Sequence, residues 1–154
     1  MIKVLRVPGS VVVGFVVAFA LVIAVELFSA VVHPFPADFS GTPEEMCRHV
    51  ERYPAWVLAV AAAAWVGAAF VGTWVATRLG GRTAGIILGL FLIWAVGFNV
   101  SMLPYPLWFK VSTVVGIPVA CLIGIRQPTA ALERDRAKAQ SGPAGRTDEQ
   151  SSGS

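Results

Sequence analysis

A carboxylate, a hydroxyl and an imidazole stand at Glu26, Ser29 and His33. On an α-helix, residues at i, i+3 and i+7 share one face, so these side chains form a polar stripe. A stripe of this chemistry can hold a cation, a proton or a polar head group. Asn99 adds an amide that both donates and accepts, and Lys110 adds an ammonium opposite in charge to Glu26. Two arrangements follow. Either Glu26 pairs with Asn99 or Lys110 and the contact fixes helix register, or the level formed by these five residues is a binding site. Lys110 has a third option, reaching outward along its apolar stem.

The segments that must position these residues are apolar. The 154-residue chain is 56% hydrophobic and 14% charged, against about 25% charged in a typical globular domain, which excludes an ordinary soluble fold. Four runs, at about residues 8–32, 54–77, 83–103 and 106–126, reach the ~20 residues that a helix needs to cross ~30 Å of hydrocarbon. Their interiors hold two formal charges, Glu26 and Lys110. A central charge costs ~2.5–3.5 kcal/mol on insertion scales, so partners are expected. Glu26 lies about six residues from the end of its run, roughly 9 Å at helical rise. Asn99 precedes Leu103 by four residues and Lys110 follows Pro106 by four. All three therefore fall at similar depth.

Charge placement orients the runs. Lys3, Arg6, Arg78, Arg82, Arg126, Arg134, Arg136, Lys138 and Arg146 fall on one side, and only Arg48, Arg52 and Lys110 on the other. The positive-inside rule then puts both termini in the cytoplasm of a multi-pass protein of the cell (inner) membrane. The first run is longer than a signal-peptide core and reads as a signal anchor. Gly80-Gly81-Arg82 and Leu103-Pro104-Tyr105-Pro106 read as tight connections, with Tyr53, Trp56, Tyr105 and Trp108 as rings at the external interface. The expected fold is all-α: a transmembrane antiparallel four-helix bundle over residues 1–127, with a short external interfacial helix. Residues 128–154 read as a cytoplasmic tail, largely disordered, with Pro128 ending the fourth helix and a frayed helix over Thr129–Gln140.

In the external loop, Thr42-Pro43-Glu44-Glu45 is a capping box, with Thr42 accepting from the Glu45 N–H and Glu45 reaching back to the Thr42 N–H. It predicts a helix from Pro43 to about Arg52, with Met46, Val50 and Tyr53 on its apolar face. His33, Asp38, Glu45, Cys47 and His49 are metal-ligand types, but their spacing matches no zinc signature, so no metal is expected. Cys47 and Cys121 fall near opposite ends of the spans, too far apart to bridge. Small residues recur at multiples of four: Ala64, Ala68, Gly72 and Ala76; Gly85, Gly89, Gly97 and Ser101; Gly116, Ala120 and Gly124. Lipid-embedded helices pack through such faces, either within the bundle or against a second copy or another membrane protein.

Val25-Glu26-Leu27, His33-Pro34-Phe35-Pro36 and Leu103-Pro104-Tyr105-Pro106-Leu107-Trp108 resemble a group of small bacterial four-span inner-membrane proteins with no assigned activity. The resemblance spans about residues 10–126 and implies fold and membrane location. Four spans with one membrane glutamate in the first are also similar to the small multidrug-resistance exporters. This chain departs from them in the outward position of Glu26, the longer first loop and the added tail. No nucleotide loop, nucleophile–base pair or cofactor motif appears, so no cofactor and no nucleic-acid partner are expected. The expected role is non-enzymatic, structural or accessory through helix packing in the lipid bilayer. The alternative is a small carrier or ligand-binding protein built on the level of Glu26, and a membrane enzyme using Glu26 and His33 ranks last.

Overall fold

The computed structural model describes residues 2–141, with side chains described for 6–129. Five helices follow in order: α1 (Ile2–Val32), α2 (Pro43–Glu51), α3 (Ala55–Gly80), α4 (Arg82–Met102) and α5 (Leu107–Ser141). No strand is present among the described residues. Four of the helices are long and apolar enough to cross a membrane, over Arg6–Val32, Ala55–Gly80, Arg82–Met102 and Leu107–Thr129. The chain thus has the character of a small multi-pass membrane protein.

α3 is the central element. It touches α1, α4 and α5, α4 also touches α1 and α5, and α1 and α5 do not meet. The reason lies in its alanines and glycines, which let neighbouring backbones approach closely. A methyl added at Gly14 would lie 2.7 Å from the Gly72 carbonyl oxygen, and one at Gly72 would lie 2.8 Å from Ala18 Cβ. Ser10 packs on Gly80 in the same way, and the Arg6 Nε–H donates to the Leu79 carbonyl at 2.7 Å. That guanidinium satisfies a terminal carbonyl at the negative end of α3. On other sides of α3, Gly85 rests on Thr77 and Gly124 on Thr73. The small-residue rows in the second, third and fourth runs are thus largely occupied inside the molecule. Gly97 is an exception, with nothing near its missing Cβ.

The connections are short for local reasons. Gly81 alone separates α3 from α4, at φ +82°, a left-handed conformation that side chains disfavour. Thr42 caps α2 by accepting from the Glu45 N–H at 3.3 Å, and Pro43 opens the helix, as the sequence predicts. The second half of the capping box differs. The Glu45 carboxylate accepts from the Ser40 N–H at 2.7 Å and the Ser40 hydroxyl at 2.8 Å. Gly41, at φ +80°, turns the chain between Ser40 and Thr42. These hydrogen bonds to Ser40 hold the Glu45 carboxyl below its ordinary range.

The prediction that Pro128 ends the last helix is corrected: α5 runs through Pro118 and Pro128 to Ser141. A proline removes one N–H and crowds the preceding turn. Pro128 leaves the Gly124 carbonyl without its usual N–H, and the Thr129 hydroxyl donates to the neighbouring Arg126 and Ile125 carbonyls at 2.8 and 3.3 Å. The helix expected over Thr129–Gln140 is therefore continuous with α5 rather than separated from it at Pro128, and the disorder expected over 141–154 falls, beyond Ser141, outside the described residues.

The close approach of α1 and α3 makes a prediction. Gly72→Val forces a side chain against Ala18 and should cost about 1–3 kcal/mol, the usual range for overpacking. Gly67→Val, on the same helix with open space at its Cβ, should cost under about 1 kcal/mol. Thermal or SDS-induced unfolding of the two variants in detergent checks the contrast.

Candidate functional site

Towards the α2 end, the alanines and glycines between the helices give way to large rings. Trp65 from α3, Phe109 from α5 and Tyr105 from the α4–α5 link form a cluster. Tyr105 stacks on Phe109 at 4.5 Å, and Trp65 meets Phe109 edge-on at 5.6 Å. Phe109 is fully buried. Rings of this size hold the helices further apart than Gly and Ala do, and a cavity of about 190 Å³ lies beside them. Glu26 and Ser29 line it from α1 and Asn99 from α4, while Met46, His49 and Val50 of α2 close it from above. Glu26 lines the cavity yet is exposed, so the cavity is open on its α1 side.

The polar atoms of this wall are not matched to one another. Trp65 Nε1 and Asn99 Oδ1 are buried and have no hydrogen-bond partner. The indole N–H is close to the Glu26 carboxyl without meeting hydrogen-bond geometry. An unmatched buried donor or acceptor typically costs about 1–3 kcal/mol, and such groups are uncommon in native structures. The cavity therefore presents a carboxylate, with an unpartnered amide carbonyl and indole N–H buried in the wall behind it.

Three of the five residues singled out in the sequence come together here: Glu26, Ser29 and Asn99. Two do not. Lys110 is half-buried and does not line the cavity. Its depth matches, but successive residues on a helix point about 100° apart, and Phe109 takes the inward position. His33 follows the end of α1 and lines a separate outer pocket of about 310 Å³, with Asp38, Arg48 and Arg52. The polar stripe is thus divided. The divider is His49, which lines both spaces, is 5% exposed and stacks on His33 at 4.6 Å and on Phe35 at 4.3 Å. Nε2 of each histidine is buried without a partner. Among the described residues, no group of three His, Cys, Asp or Glu side chains is placed to hold a metal ion. Cys47 and Cys121 are both free thiols.

Sequence reasoning missed Trp65, Tyr53, Tyr105, Phe109 and His49 as cavity walls. The sequence reads Tyr53 and Tyr105 only as rings at the external interface; both also line the cavity. Burial, and then the nearby Glu26 charge, push both phenols above their ordinary range, so they face the cavity as neutral O–H groups. Trp65 carries a legible signal: it is a large ring with one polar edge in a segment otherwise almost all alanine, from Ala61 to Ala69.

His49 is held neutral, since burial first, and then His33 and Arg52, lower its pKa below the ordinary value near 6.5. Asp38, Glu45 and Arg48 line the pocket on its other side. As pH falls through about 6.5 the unfolded chain takes up the proton first. Stability from neutral His49 is therefore complete above that value and lost as pH falls towards the folded-state pKa. His49→Phe keeps the ring stack and should flatten the drop in thermal midpoint between pH 8 and pH 5, with NMR titration placing the wild-type His49 pKa below 6.5. No protein-family model, curated protein or solved structure matches the chain, so the site is defined by its own geometry.

Proposed function

We propose that this protein is a small ligand-binding or carrier protein of the cell membrane, and that the cavity at Glu26 binds a ligand through a positively charged nitrogen. The observation that carries the reading is the wall itself: a carboxylate, an unpartnered amide carbonyl and the rings of Trp65, Tyr105 and Tyr53 around one space. A cation offers favourable charge to Glu26 and to ring faces, and a donor nitrogen also satisfies Asn99. A purely structural role for Glu26 would rest on the nearby Trp65 indole N–H, which falls short of hydrogen-bond geometry, and Lys110 does not supply a partner. The accessory role through small-residue faces has less support, because most of those residues already pack within the molecule.

The proposed setting is an antiparallel four-helix transmembrane bundle. Contacts pairing residues 10 with 80, 14 with 76, 18 with 72 and 28 with 56 run in opposite order along α1 and α3. The charge bias puts both termini in the cytoplasm, so the cavity sits in the outer half of the bilayer. α2 then lies at the outer interface as a cover, with Met46 and Val50 turned to the cavity and its charged residues away from it. No nucleic-acid partner or cofactor enters this reading.

Two tests apply. Methylammonium, a small cationic probe with N–H donors, should raise the thermal midpoint of the wild-type protein, and Glu26→Gln should weaken its binding at least tenfold, about 1.4 kcal/mol. Equal binding by the variant would remove the charge from the site. For topology, a membrane-impermeant maleimide added to intact cells should label the partly exposed Cys47 and spare buried Cys121. Labelling only in inverted vesicles would reverse the orientation.

A further inference from the structure

The Glu26 cavity does not end at its polar wall. Trp65 and Asn99 also line a second cavity of about 190 Å³, directed towards the middle of the helices. Its other walls are apolar: Phe19 and Val22 of α1 face Leu92, Ala95 and Val96 of α4. α1 and α4 meet beyond it, where Phe15 touches Phe91 at 5.5 Å. The two spaces thus share one boundary, polar on one side of Trp65 and Asn99 and apolar on the other. Along α4, the apolar part extends from Asn99 to Leu92, about 10 Å at helical rise.

Building on the reading of the Glu26 cavity as a cation site, we propose that its ligand is a single-chain primary amine. The ammonium sits between the Glu26 carboxylate and Asn99 Oδ1, and the alkyl chain lies in the apolar cavity between α1 and α4. Three observations fix the class. The one charge on the wall is negative, which selects a cationic head. The unpartnered atom of Asn99, buried in the wall that the two spaces share, is an acceptor; once the amide turns towards the cavity a primary ammonium satisfies it with an N–H and a quaternary ammonium cannot. The space beyond is apolar, which suits an alkyl chain and disfavours a second charged group. Because the Glu26 side of the cavity is open on α1, such a ligand can enter from the side, head and tail already sorted by the bilayer.

The test measures binding of ethylamine, butylamine, hexylamine and hexyltrimethylammonium to the full chain in detergent by equilibrium dialysis, referred to free aqueous ligand at neutral pH. Affinity should rise about fourfold per added methylene, the gain expected for burying it. Hexylamine should bind more tightly than hexyltrimethylammonium, and Asn99→Leu should erase that preference. Ala95→Trp should fill the chain cavity, removing the length dependence while ethylamine still binds. The length series on the wild-type chain stands even if that variant fails to fold. If ethylamine and hexylamine bind alike and both depend on Glu26, the chain cavity is refuted and the Glu26 site survives. Equal binding of the trimethylammonium probe refutes the assignment of a primary amine. If no amine shows binding weakened by Glu26→Gln, both this inference and the site reading fall.

Discussion

The backbone contact between α1 and α3 sets the form of the whole molecule. Where Gly14 meets Gly72 there is no room for a side chain on either helix, and packing of this kind replaces the hydrophobic drive that lipid removes. The opposite end is built on Trp65, Tyr105 and Phe109. The Glu26 cavity lies among these rings, because large rigid rings do not fill the space between helices completely.

The same region holds the polar groups. Glu26, Ser29, Asn99 and the Trp65 indole edge are all costly in hydrocarbon, and they gather where the cavity and the cover of α2 keep them from direct contact with lipid on most sides. His49 belongs to both the cavity and the outer pocket, so the chemistry of the two spaces is joined through one side chain. The stack of His33, His49 and Phe35 holds that side chain in place by ring contact rather than by hydrogen bonds.

Much of the fold was legible in the sequence because long apolar runs have few alternatives. The four long helices, the capped helix at Pro43 and the tight turn at Gly81 each follow from local chemistry. Depth was legible too, since helical rise is fixed, and it brought Glu26 and Asn99 to one level. Rotation was not. Whether Lys110 or Phe109 faces inward depends on which neighbours surround α5, and a helix apolar on nearly every face carries little periodic signal to say so. The continuation of α5 past Pro128 was illegible for a related reason: the proline rule states a cost at one turn, and whether a helix runs on depends on the rest of its length.

Three threonines in the core, Thr73, Thr77 and Thr113, donate their hydroxyl protons back to carbonyls of their own helices at 2.7–2.8 Å. A count of polar residues charges each against membrane insertion, yet once the hydroxyl is turned inward the surface it offers its surroundings is mainly a methyl group. The effective polarity of α3 is therefore lower than its composition states. Asn99 and Trp65 have no such internal outlet, and they remain polar in fact as well as in name. In this chain the distinction that matters to the bilayer is not between polar and apolar residues but between polar groups that can turn back on their own backbone and those that must find something else.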